Sequence, residues 1–162
     1  MTLSVRQRAV TVAFAAFVVI VLDQLHKWWM LDQLGIAHRD PIELLPFFRL
    51  VMVWNQGVSF GMLTHDVGYM RWFLIAVALV ICAVMLRFGL KSDIKWERIG
   101  YGMVIGGALG NVIDRIRFGA VADFFHFHVG SFSWPAFNVA DSAICLGVGL
   151  LLWMMTFHPQ KP

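Results

Sequence analysis

Four uncharged apolar runs punctuate the chain: Ala9–Leu22, Trp72–Leu86, Ile99–Ile113 and Ser142–Phe157, with 14, 15, 15 and 16 residues. A helix crossing the hydrocarbon core needs about 20 residues at roughly 1.5 Å each. Each run is therefore short by a turn or more. They are either buried helices of a water-soluble fold or membrane spans that continue into charged flanks. Between the runs the period changes. In Phe48–Trp54, β-branched and aromatic residues lead into Asn55-Gln56-Gly57, the pattern of a strand running into a turn. Val121–Val129 alternates, which predicts Asp123 on one face with Phe125 and Phe127, and His126 with His128 on the other. The third run carries Gly102, Gly106 and Gly110 at four-residue spacing, a stripe on one helix face that lets a neighbouring helix approach closely.

Composition decides between the two readings. Only 14% of residues are charged and 59% are hydrophobic, where a soluble surface calls for about 25% charged. Four such helices would keep almost no polar face for water. The expectation is an all-α membrane protein with a small β-rich segment on its outer face. Its four spans fall at about 9–27, 70–88, 97–115 and 138–157, in a single domain covering 1–162. The same numbers exclude a disordered chain, and a net charge of +3 is too dilute to mark a nucleic-acid binder. Cys82 and Cys145 lie within apolar runs and define no disulfide or metal framework. Arg6 and Arg8 ahead of the first run imitate a secretory signal, but Asp23-Gln24-Leu25-His26-Lys27 follows it without a small-residue cleavage site. An uncleaved first span is expected. Orientation follows from Lys and Arg in the connections. Arg6 and Arg8 mark the N-terminal tail, and Arg87, Lys91, Lys95 and Arg98 crowd the short second connection. The much longer segment 28–70 holds only Arg39 and Arg49, and segment 114–141 only Arg115 and Arg117. Both termini are thus expected in the cytoplasm, with the two long connections outside.

Ionisable groups near hydrocarbon are expensive, so each raises a functional hypothesis. In this topology Asp23, Asn55, Asn111, Asp114, Asp123, Asn138 and Asp141 all fall on the outward side, and the cytoplasmic side offers only a solvated basic loop. Several have a plain structural explanation. Asp23 and Lys27 are four apart and suit a helix-face pair; Asp114 and Arg117, three apart, suit another. Asn138 suits a helix N-cap after Pro135, with Asp141 three positions on completing a capping box. Asp123 has no such local partner and sits among aromatics. Phe118, Phe124, Phe125, Phe127, Phe132, Trp134 and Phe137 crowd the same stretch, which reads as an interfacial aromatic belt, a lipid-contacting substrate groove, or both. Other chemistries have less support. Ser142 has no histidine at a recognisable spacing and no G-x-S-x-G around it. His126 and His128 are a weak metal signal, and no Gly-rich phosphate loop is present. Asp123 and Asp141 remain as two outward carboxylates on different elements. Sharing one proton, such a pair can activate water for peptide hydrolysis, one member as base and one as acid.

Five groups of residues in order along the chain carry a resemblance. They are Asp23-Gln24 with Lys27; Asn55-x-Gly57 with Phe60-Gly61; Gly110-Asn111-x-x-Asp114-Arg115; Val121-Ala122-Asp123-Phe124; and Phe137-Asn138-x-Ala140-Asp141-Ser142. Together they resemble the lipoprotein signal peptidase (signal peptidase II) family over about residues 9 to 157. The resemblance implies four transmembrane helices in the bacterial inner membrane and an aspartyl dyad near its outer surface. It also implies removal of the signal peptide from prolipoproteins, with the cut just before the cysteine that carries diacylglycerol. The dyad falls on Asp123 and Asp141. Asp23, Lys27, Asn55, Gly57, Asn111, Asp114, Arg115, Asn138 and Ala140 fall on the family's other motif positions, as positioning or substrate-contacting groups. Two departures spare the carboxylates: Ala122 stands where a β-branched residue is common, and Val58-Ser59 where Ala-Ala is frequent. The expected partners are diacylglyceryl-modified prolipoproteins and membrane lipids, with no metal, cofactor or nucleic acid, and the chain is expected to act as a monomer. The alternative is a small transporter or assembly factor binding a cation through the outer aspartates. A transporter would place its site near the midplane, with broken helices or inverted repeats, and neither is visible.

Overall fold

A computed structural model of the chain describes residues 4–57 and 67–157. The Phe60-Gly61 motif and the Val58-Ser59 departure lie outside the described residues. Four long helices, α1 (Val5–Trp28), α2 (Val67–Lys91), α3 (Lys95–Phe118) and α4 (Val139–Phe157), are joined by four strands, β1 (Ile42–Leu45), β2 (Phe48–Asn55), β3 (Val121–Val129) and β4 (Phe132–Ser133). Every helix overruns its apolar run at one end or both, taking charged flanks into regular structure. The ends are chemically marked. Ser4 and Gln7 exchange side-chain and backbone hydrogen bonds as a capping box ahead of α1. Gly119, at φ +82, lets the chain leave α3 through the left-handed region.

Among the described residues, three helical segments are long and apolar enough to cross a membrane: Val5–His38, Gly68–Lys91 and Val139–Phe157. Helix α3 does not meet that measure, and its position explains why. It packs against α1, α2 and α4, so its small and polar residues face other helices. Glu97, Arg98, Asn111 and Asp114 are buried there, while the outer faces of the other helices expose Phe14, Phe17, Phe73, Val80, Leu146 and Trp153. An apolar surface of that extent suits lipid.

The glycine stripe of α3 is the seat of α1. A Cβ added at Gly102 would lie 2.6 Å from the Val12 carbonyl oxygen, and one at Gly106 would lie 2.6 Å from that of Ala16. At Gly110 it would meet Asp23 Oδ2 at 2.6 Å. The stripe therefore brings the two backbones together and delivers α1 to the polar end of the bundle.

The strands form one antiparallel series in the order β1-β2-β3-β4. Arg49 pairs with His126 and Val53 with Asp123, with a register shift between them. Phe125 bridges to Phe137, tying β3 to the segment that enters α4. Under the sheet, Met30, Ile36, Ala122 and Phe124 form a buried core. The aromatic stretch is accordingly divided. Phe124 is core, whereas Phe118, Phe127, Phe132 and Trp134 are exposed.

The basic residues around the α2–α3 loop divide: Arg87, Lys91 and Lys95 are exposed, as a solvated basic loop requires, while Arg98 is buried. Arg8 donates to the carbonyls of Leu90 and Lys91 and pairs with Asp93. Buried Arg98 donates to Ser92 O at 3.0 Å, and the Ser92 hydroxyl donates to Glu97 at 2.6 Å. The last carbonyls of α2 lack intrahelical partners, and arginines satisfy them.

Candidate active site

The polar groups converge where α1, α3 and α4 meet the sheet. Near the end of α1, Asp23 and Lys27 stand one turn apart and are almost fully buried. Lys27 Nζ lies 2.8 Å from Asp23 Oδ2 and 2.7 Å from Asp114 Oδ2, and donates to Asn111 Oδ1 at 3.4 Å. Buried charges persist only when paired and hydrogen-bonded, and here both carboxylates are. Asp23 Oδ1 accepts the Ala140 N–H at 3.0 Å, and Asp114 Oδ2 accepts the Ala122 N–H at 3.1 Å. Gln24 Nε2 donates to Asp23 and Asp114, each at 3.1 Å. One cluster thus joins α1, α3, the start of β3 and the first turn of α4. The expected Asp114–Arg117 pair does not form. Asp114 is buried and turns to the buried ammonium, while exposed Arg117 lies 4.8 Å over the Phe118 ring.

Asn138 links this cluster to the two outward aspartates. Its Nδ2 donates to Asp123 Oδ1 at 2.7 Å, Asn111 Oδ1 at 3.2 Å and Ala122 O at 3.3 Å. Its Oδ1 accepts the Asp141 N–H at 2.9 Å, and its own N–H donates to Asp141 Oδ2 at 3.2 Å. That exchange is the capping box expected for α4. It occupies one oxygen of Asp141. The other, Oδ1, accepts from Asn111 Nδ2 at 2.8 Å. Capping and chemistry are therefore not exclusive readings of this residue, because each carboxylate oxygen keeps a further lone pair.

Asp123 is held from the other side by Asn55, whose Nδ2 donates to Oδ2 at 3.0 Å. Asn55 has no freedom to flip, since its Oδ1 accepts the Gly57 N–H at 2.8 Å. Gly57 sits at φ +88, where a side chain is strained, and faces Leu74 of α2 and the Arg115 guanidinium. Arg115 Nη1 donates to Asn111 O at 3.4 Å. The burial of Asp123 pushes its carboxyl up to about 6. Nearby Asp141 adds to the rise, against the bonds from Asn55 and Asn138 and the charge of Lys27. Asp141 is half-buried in the first turn of α4, where the helix dipole and free N–H groups suit negative charge. A cleft of about 200 Å³ between α2, α3 and α4 opens beside these groups. Leu74, Val77, Ile81 and Ile144 make it apolar, and Asn111 and Arg115 line it as well.

All eleven residues singled out from the sequence lie in or against this region. The Asp23-Gln24 motif assigns Gln24 no role of its own, and the structure makes it a link between two buried carboxylates. No sequence signal marks a main-chain donor such as the Ala122 N–H, which only the fold brings to Asp114. The two histidines raised as metal ligands are engaged elsewhere, His126 with Arg49 and Ser133, and His128 with Glu43.

A bundle of apolar helices that carries two aspartates, joined through one asparagine at its sheet end, defines a class: a membrane-embedded protein equipped for carboxylate acid–base chemistry. Residues 15–157 match the family described as signal peptidase (SPase) II, and the chain belongs to that family. A lipoprotein signal peptidase from an Azoarcus species is 45% identical over 141 residues, covering 85% of this chain and 78% of the relative. That of Vibrio parahaemolyticus is 38% identical over 152 residues, covering 93% and 90%. A solved bacterial membrane enzyme matches with a TM-score of 0.75 at 26% identity, covering 93% of this chain and 94% of its own. The transporter or assembly-factor alternative gives way to the family match.

Proposed function

We propose that the protein is an aspartic endopeptidase that cuts diacylglyceryl-modified prolipoproteins immediately before the lipidated cysteine, with Asp123 and Asp141 as its catalytic pair. The observation that carries the assignment is Asn138, which donates to Asp123 and exchanges hydrogen bonds with Asp141 at the edge of an apolar cleft. In this reading the single domain spans a bacterial inner membrane four times, α3 included. Both termini are cytoplasmic and the site faces the periplasm. The enzyme works as a monomer, without metal or cofactor.

The chemistry divides by environment. Asp123, desolvated and held up near 6, carries the shared proton and is the acid. Asp141, at the positive end of α4, is the base. Asp141 takes a proton from water as the oxygen adds to the scissile carbonyl carbon, and Asp123 gives its proton to the carbonyl oxygen. Collapse of the resulting gem-diol returns a proton to Asp123, while Asp141 protonates the leaving nitrogen. The pair ends in its starting state. Lys27, Asp23, Asp114 and Gln24 touch no reacting atom in this scheme; they hold Asn111, Ala140 and Ala122, which position the pair. The apolar cleft takes the membrane side of the substrate. Each CH₂ of an acyl chain kept in the bilayer contributes roughly 0.8 kcal/mol, so the lipid anchors the substrate at the interface.

The test is cleavage of purified lipidated precursor. Asp123→Asn and Asp141→Asn should each lower turnover by about 10³-fold or more, and the double variant by little beyond that, because the pair acts as a unit. Precursor without diacylglycerol should be cut far more slowly. A folded Asp141→Asn protein that processes precursor at the parent rate would reduce this residue to a helix cap.

A further inference from the structure

Outside the helices, a groove of about 320 Å³ lies over the sheet and is unused by the mechanism above. Its β2 wall is Arg49, Val51 and Val53, and its opposite wall is the segment from Ser133 to Ala136. Val53 is the cross-strand partner of Asp123, so one end of the groove starts at the level of the catalytic carboxylate. The other wall stops two residues short of Asn138. The groove thus neighbours the site along the ladder and shares no lining residue with the apolar cleft.

We propose that this groove receives the first residues of the substrate on the C-terminal side of the cut, and that Arg49 there selects an acidic side chain. The proposal rests on the peptidase reading. Its geometry sets the register. Val53 and Arg49 are four positions apart on β2 and their partners Asp123 and His126 three apart on β3, so the register shift puts them about 10–14 Å from each other at a strand rise of roughly 3.4 Å per residue. An extended substrate would bring the third or fourth residue after the lipidated cysteine to the guanidinium. Charge sets the preference. Arg49 Nε donates to His126 Nδ1 at 2.9 Å, which leaves His126 Nε2–H to donate to the Ser133 hydroxyl at 2.7 Å. Both bonds belong to a neutral imidazole. Burial, then Arg49 and His128, hold His126 below its ordinary value, against Glu43. The groove thus carries one fixed cation. Glu43 reaches Arg49 Nη1 only at 3.5 Å and is shared with His128 at 3.3 Å. Among the described residues no acceptor meets Arg49 Nη2, so a guanidinium edge remains for an incoming carboxylate.

The experiment compares diacylglyceryl-modified precursors that differ only in Glu, Gln or Lys at the third and fourth residues after the cysteine. At low salt, kcat/KM should favour Glu over Lys by about fivefold, the size of a partly exposed ion pair, and the ratio should shrink at about 1 M salt. Arg49→Glu should invert the order and Arg49→Gln should flatten it. Equal rates for the three precursors, or an order that Arg49→Glu leaves unchanged, would overturn the proposal. A second measurement is independent of cleavage. A photoreactive residue at the fourth position, in precursor bound to the Asp141→Asn variant, should label residues 49–53 or 133–136. Labelling within the α2–α4 cleft would remove the groove from substrate binding. If no precursor is cleaved but the groove is labelled, the peptidase reading fails and the groove assignment stands.

Discussion

Replacing Lys27 by Met tests the buried cluster more sharply than any change at the aspartates. Methionine fills a similar volume and removes only the charge and its donors. In the parent, one ammonium stands 2.8 and 2.7 Å from two carboxylates that are themselves fully buried. Without it the two negative charges face each other across an apolar side chain, although the Ala140, Ala122 and Gln24 donors stay in place. Removing one partner of a buried pair costs about 3–5 kcal/mol, because an uncompensated charge is left behind. That is a large share of the roughly 5–15 kcal/mol that holds a typical domain together. Unfolding of the purified protein by dodecyl sulfate in mixed micelles should show a loss in this range. Adding Asp114→Asn to Lys27→Met should recover part of it, since one stranded charge disappears. Asn111 loses its ammonium donor in the same variant and is the residue that donates to Asp141, so kcat should fall more than KM rises. A Lys27→Met protein within about 1 kcal/mol of the parent would refute the claim that this lysine neutralises the cluster.

Asp123 should give stability a pH slope. Its carboxyl is raised from the usual range to about 6, so its contribution is full below about pH 4 and lost as pH rises through 6, reaching about 3 kcal/mol by pH 8. Asp123→Asn should remove that slope from matched unfolding curves at pH 5 and 8, and identical slopes in both proteins would contradict the assignment. Gly106→Ala places a methyl group 2.6 Å from the Ala16 carbonyl oxygen. It should lower stability by about 1–3 kcal/mol, whereas Gly149→Ala, with open space around its Cβ, should be almost silent in the same thermal melt. A reporter active only outside the cytoplasm should be active when fused after Asp66 and silent when fused at Ser92; the reverse pattern would put the site on the wrong side.

Much of the architecture was legible because it is written in short-range periodicity. The apolar runs marked the helices, and alternation marked β3 at its observed limits. Helix α3 was harder to read. Its charges and glycines look like weaknesses in a span, and only its place among three other helices shows that they face protein. The same limit explains the wrong partner expected for Asp114. Helical spacing reveals a neighbour three or four positions away, whereas the ammonium that meets Asp114 comes from α1. Residue types at Asn55, Asn111 and Asn138 were visible, but their shared job was not. Three amides set in fixed orientations around two carboxylates are a property of the fold. The α2–α3 corner is legible in part: Arg87, Lys91 and Lys95 are exposed as their charges suggest, but nothing in local pattern shows that Arg98 is buried on the Ser92 carbonyl or that Arg8 arrives from α1.

The bond from the Ala140 N–H to Asp23 spans 117 positions of sequence, and this separation has a consequence for biogenesis. The Asp23–Lys27 and Asn138–Asp141 contacts are local, but the junction between them is not. Helices α1, α2 and α3 can be correctly packed while the carboxylate of Asp23 still waits for the first turn of α4. Contacts that distant close late, because loop-closure entropy must be overcome before they contribute. The enzyme should therefore be silent throughout its own insertion and become competent only when the last helix docks. A chain that lacks a docked α4 should show no partial activity on a precursor, however well its first three helices pack.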